Sequence, residues 1–199
     1  CFSMPSTISY ISSGTANVTG NLTVGTLTAG TGTVNLTGAA AATVNAYTFN
    51  NLAINKTGAV TIAGPSTVNG ALTVTNSGGT TFSGALTAGT VTLSNTTGTI
   101  AFQGNTTITT LNTAGAGYGV SFTGASSAIT NAAAFNNTGT VTLGDGAGDV
   151  TLFNGGVSFP GNGPVNVAGA VRSSADAMDF GSGAVSLGAD AILDSTNNG

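Results

Sequence analysis

The segment NNTGTVTLGDG, residues 136–146, alternates threonine with valine and leucine before breaking into glycine, and close copies of it recur along the chain. GAVTI starts at Gly58, GTIAF at Gly98, GTVTL at Gly139 and GAVSL at Gly183, at intervals of 40, 41 and 44 residues. Repetition of this kind narrows the possible folds sharply. Each unit is too small to bury its own apolar face and must stack on its neighbours. Shorter intervals run alongside. Thr-x-Thr pairs start at Thr73, Thr90 and Thr107, 17 residues apart, with a further pair 33 residues on at Thr140, and GALTV at Gly70 precedes GALTA at Gly84 by 14. A unit of about 17–20 residues, doubled into a longer repeat of about 40, accommodates most of these spacings.

Within each unit the pattern is that of a β-strand. ALTVT (71–75), TVTLS (90–94), TTITTL (106–111) and TVTL (140–143) alternate apolar and hydroxyl residues with period two. Turn formers separate them: NSGG (76–79), AGAGYG (114–119), GDGAG (144–148), NGG (154–156) and PGNGP (160–164). The 32 glycines are expected to supply the positive-φ positions of such corners. AAAA (39–42) and NAAAF (131–135) are too short to stand as helices and read as small residues packed at corners. The pattern predicts an all-β chain forming a parallel β-solenoid, with coils of about 17–20 residues stacked at roughly 4.7–4.9 Å. Apolar residues then form ladders inside, inward or corner asparagines form amide ladders, and threonines face outward. Residues 1–14 are assigned to an apolar N-terminal segment acting as a cap or inter-subunit strand, and 15–199 to a single solenoid domain of on the order of ten coils.

Charge bears on function. Only 4% of residues are charged, and histidine is absent. Lys56 and Arg172 are the only basic residues, and all six acids are aspartates from Asp145 onward. Nucleic acid as a partner needs clustered Lys and Arg and is excluded, and an anionic membrane surface fails for the same reason. With 40% hydrophobic residues and a mean hydropathy of +0.34 the chain does not read as disordered. No apolar run reaches the length of a membrane helix, and a membrane barrel would need aromatic girdles that a chain with no Trp and three Tyr lacks.

Candidate chemistry is sparse. Arg172 with Asp176 and Asp179 is the one cluster in which a base and carboxylates fall together, and it reads as solvated loop charge. No serine has a histidine to activate it, so the chain is not expected to be an enzyme, and no cofactor or metal is assigned. GDGAGD (144–149) places Asp145 and Asp149 in a glycine turn of the kind that can hold Ca²⁺, but it departs from the calcium-binding nonapeptide at Ala147 and Thr151. Asn-x-Ser/Thr triplets begin at Asn17, Asn21, Asn35, Asn55, Asn95, Asn105 and Asn136, as expected by chance in a chain rich in Asn and Thr. Cys1 is the only cysteine, so no internal disulfide is possible; lipidation, a disulfide to another chain, a free thiol and an arbitrary boundary are all open to it.

TFNNLAINKTGAVTIAGPSTVNGALTV (48–74) and AAAFNNTGTVTLGDGAGDVTLFNGGVSF (132–159) resemble the repetitive surface exoproteins of bacteria, the filamentous-haemagglutinin-like and autotransporter-passenger-like proteins. The resemblance lies in repeat style and covers most of the chain from about residue 15. It implies a right-handed parallel β-helix, export, and an adhesive or scaffolding role at the bacterial cell surface or outside the cell. The expected function is a structural subunit or segment of an extracellular or cell-surface fibre that joins copies of itself head to tail, with the cell surface or matrix as a further expected partner. CFSMPSTISYI (1–11) is the expected docking strand. The alternative is the stalk of a large adhesin. A third reading, ice binding, would need the Thr-x-Thr pairs to stack into a flat lattice.

Overall fold

The computed structural model describes residues 9–196. It is all-β and entirely parallel, a β-solenoid of about nine turns. Each turn visits three faces in order. Leu86–Leu93 crosses the first and second faces in one bent strand and Thr99–Phe102 forms the third; the next turn repeats this with Thr106–Thr113 and Gly119–Phe122. Ser9–Ile11 already pairs in parallel with Leu27–Ala29, so these three residues belong to the first turn. The rest of the docking strand expected over residues 1–11 lies outside the described residues.

Turn length is not constant. On the third face the register advances 18 residues from Ala42 to Val60, 20 at each step through Thr80, Ile100 and Val120, 21 to Val141, 24 to Val165 and 20 to Val185. The intervals of about 40 in the sequence are therefore two turns. The intervening turns carry the same strand in other letters: TTF at Thr80–Phe82, GVSF at Gly119–Phe122 and VNV at Val165–Val167.

Alternation decides which side chains enter the core. On the third face two inward columns climb the whole stack. One runs Val44, Ile62, Phe82, Phe102, Phe122, Leu143, Val167 and Leu187; the other runs Ala42, Val60, Thr80, Ile100, Val120, Val141, Val165 and Val185. Parallel pairing without stagger puts like side chains one strand spacing apart, so flat rings stack. Phe82, Phe102 and Phe122 lie with centroids 5.2 and 4.7 Å apart, and a second stack joins Phe135, Phe159 and Phe180 at 5.0 and 5.2 Å. Asparagines do something else. Among the described residues one direct amide rung, Asn35 Nδ2 to Asn17 Oδ1 at 2.7 Å, is on the outside; other Asn side chains accept backbone amides of the next turn, as Asn51 does from Ala71 and Asn105 from Ser126, or donate to carbonyls of the turn before, as Asn50 does to Thr31.

The glycines depart from expectation. Among the described glycines eight have positive φ. Many of the rest are required by close approach between turns: a Cβ on Gly84 would stand 2.1 Å from the carbonyl carbon of Gly64, and one on Gly104 2.2 Å from that of Gly84. At this corner backbone lies on backbone and no side chain fits. Gly104→Ala should therefore cost about 1–3 kcal/mol or more, whereas Gly117→Ala, which meets nothing within 4 Å, should be neutral or stabilise by up to about 1 kcal/mol. Urea denaturation of the two variants checks the contrast.

Candidate functional site

The residues singled out by the sequence do not converge. Arg172 faces outward on the first face, between Leu152 below and Asp194 above, while Asp179 lies on the second face and accepts the Gly181 amide at 2.9 Å. In the 144–149 loop, Asp149 turns its Oδ2 onto the backbone amides of Asp145 (2.8 Å) and Gly146 (2.9 Å). These donors, that of Asp145 first, hold the carboxyl below its ordinary value. A carboxylate aimed at its own loop's N–H groups is serving the turn. Several asparagines of the glycosylation-type triplets are used between turns: Asn21 accepts the Thr43 amide, and Asn136 donates to the Thr113 carbonyl.

The threonine pairs do not stack. Thr73 lies under Thr92, Thr90 under Thr110, and Thr87 under Thr107, so the pairs starting at Thr73, Thr90 and Thr107 shift along the strand from turn to turn. Their 17-residue spacing is shorter than the turn of about 20. The columns that do form, such as Thr48, Thr67, Thr87 and Thr107, are one residue wide.

Lys56 has a place the sequence reading did not find. It is fully buried, and its Nζ donates to two carbonyls of earlier turns, Thr19 O and Thr37 O, each at 2.8 Å. Leu52 and Ile54 point inward on the same strand, so period two already placed Lys56 inside. The corner after the second face is polar higher up as well. Thr96 donates its hydroxyl to the Ser77 carbonyl, and Asn137 donates to Tyr118 O at 3.1 Å. Thr19, Ser77 and Tyr118 lie outside the strands, and internal side-chain donors reach their carbonyls. Burial pushes the Lys56 ammonium below its ordinary value. With Lys56 enclosed, residues 12–144 present no charged side chain to solvent.

The remaining candidate is the C-terminal end of the stack. Val185, Leu187, Ile192 and Leu193 are 40, 61, 52 and 43% exposed and are the only exposed large apolar side chains among the described residues. Val185 and Leu187 are the last members of the two third-face columns, whose earlier members are buried. Leu193 follows the buried Val171 on the first face, and the half-buried Phe180 ring ends the second aromatic stack. Among the described residues, the strands Met178–Asp179, Val185–Leu187 and Ile192–Asp194 each pair on one side only. The apolar columns and the three strand ladders of the described residues thus reach their last member at one place.

No protein-family model, curated protein or solved structure matches this chain.

Two measurements test the polar groups. Lys56→Met should destabilise by about 1–3 kcal/mol per carbonyl left without a donor, read from denaturant midpoints. Asp149 has a depressed folded value, so its contribution is complete above the ordinary carboxylate value of about 4 and is lost as pH falls through the depressed one. Acid titration of Asp149→Asn should therefore show a smaller loss of melting temperature at low pH than the parent chain.

Proposed function

We propose that the chain is a structural segment of an extracellular or cell-surface fibre, built by stacking one solenoid on the end of another. The observation that carries this reading is the unbroken parallel stacking, in which the inward columns run in register to the last described turn at Val185, Leu187 and Leu193. Unpaired strand edges over an uncovered apolar section are the features that natural β-proteins cover or pair. A further parallel turn supplies both backbone partners and apolar contacts. If that turn comes from the opposite end of a second copy, the contact is heterologous and does not close on itself, and a filament results. The repeat style shared with bacterial surface exoproteins supports placement outside the cell.

The adhesin-stalk reading uses the same end with the added turn supplied by a longer chain. It is favoured by the shaft itself, whose outer surface over residues 12–144 carries hydroxyls and amides and no exposed charge. Nine rungs at the strand spacing make a spacer roughly 43 Å long.

Sedimentation velocity over a range of concentrations, with electron microscopy of the same samples, tests the fibre. The parent chain should form rods of increasing length, and the double variant Leu187→Asp/Ile192→Asp should remain monomeric with unchanged β-sheet circular dichroism. A parent chain that stays monomeric at every concentration would overturn self-assembly.

A further inference from the structure

A stack of turns yields first at its weakest junction, because each turn touches only its neighbours. The junctions inside this shaft are not alike. On the second face Thr90, Val91, Thr92 and Leu93 pair in register with Thr110, Leu111, Asn112 and Thr113. One turn further, that face pairs only Asn112 with Ala134 among the described residues. The core changes at the same level. On the first face the inward Leu86 is followed by Thr106, Ser127 and Thr151, and the Ser127 hydroxyl is buried with no hydrogen-bond partner among the described residues. On the second face Thr113 takes the inward place held by Val74 and Leu93. Beside it, Ala133 follows Leu72, Val91 and Leu111 and is smaller than any of them. The aromatic stacks also divide here. Phe82, Phe102 and Phe122 lie below this level and Phe135, Phe159 and Phe180 above it, while Leu143 follows Phe122.

We propose that this level, between the turn of residues 106–122 and the turn of 126–143, is a clasped joint at which the solenoid parts into two stacks before either stack unfolds. Side chains hold it shut. The Thr113 hydroxyl donates to Ala134 O at 2.9 Å and accepts the Asn136 amide at 2.7 Å, and Asn136 Nδ2 donates to Thr113 O at 2.9 Å. Exposed bonds from Asn131 to Thr110 and from the Ser126 amide to Asn105 cross the same level. Inside, Asn137 reaches Tyr118 O at 3.1 Å and keeps its own Oδ1 buried without a partner among the described residues. The clasp thus stands in for ladder pairing and apolar packing, the two things whose local scarcity favours opening. The joint lies within the shaft and is the same for a fibre segment and for a stalk. Under load it would let the shaft lengthen while both stacks keep their fold.

Native-state hydrogen exchange of the full chain reads the joint. The amides of Val120, Thr130, Asn131, Thr138 and Gly144 donate across it, to the carbonyls of Thr140, Ile108, Thr109, Ala116 and Phe122. Those of Ser83, Gln103 and Ala114 donate within the lower stack, and those of Asn154, Gly161 and Ala168 within the upper one. In the parent chain the first group should exchange together and at least tenfold faster than the other two. Thr113→Val leaves Ala134 O and the Asn136 amide without their partner, and should speed the first group about tenfold more with the others unchanged. Ser127→Ala removes a buried hydroxyl that has no partner and should slow the first group severalfold. One common rate for all three groups in the parent chain would overturn the joint. So would equal acceleration of all three in Thr113→Val, which is the mark of a general loss of stability. If Thr113→Val does not fold, the parent rates and Ser127→Ala decide the question between them.

Discussion

The structure depends on parallel turns stacking in register. Once each strand lies directly over its predecessor, the inward residue of one turn is held one strand spacing from its counterpart, and the core becomes a set of columns. Phe82, Phe102 and Phe122 show what this geometry does: three rings stack because the backbones carrying them pair without stagger. Backbone pairing and side-chain packing thus reinforce one another at every rung. The same requirement governs the corners, where Gly84 and Gly104 must lack a Cβ for adjacent turns to touch.

Registration of this kind also accounts for the variation in turn length. The 24-residue turn between Val141 and Val165 includes the 144–149 loop and the PGNGP corner, yet Val141, Thr142 and Leu143 still pair with Val165, Asn166 and Val167. Extra residues leave the stack at corners and return to it. Lys56 and Asn137 secure two places where the chain leaves its ladder, by donating into carbonyls of earlier turns, Thr19 and Tyr118.

The fold was legible in the sequence because alternation is local: the parity of Val, Leu, Ile and Phe in TVTL or TTITTL is enough to assign an inward face. Turn length was less legible. The 17-residue threonine interval arises from pairs that shift along the strand, and alternate turns conceal the true period behind different letters, such as TTF at Thr80–Phe82. The glycines were misjudged for a physical reason, since approach between turns is a long-range property that a turn signal does not report. Lys56 was readable, because Leu52, Ile54 and Lys56 share one parity; its charge drew attention outward. The open end was not readable. VSL at Val185–Leu187 looks like any other rung, and only its place in the stack leaves it uncovered.

The seclusion of Lys56 bears on how such a stack meets proteases. Proteases that cut after lysine or arginine find two bonds to address in the whole chain, following Lys56 and Arg172. The segment Asn51–Lys56 is held between Thr33–Gly38 and Ser66–Asn76, and Ala170–Ser173 between Val150–Phe153 and Ile192–Asp194. A cleavage site must be drawn out as a free extended strand before it enters an enzyme's cleft, and here that means tearing a rung from both neighbours. The scarcity of charge that leaves the shaft weakly repelled by its own copies also leaves this class of enzyme almost nothing to grip.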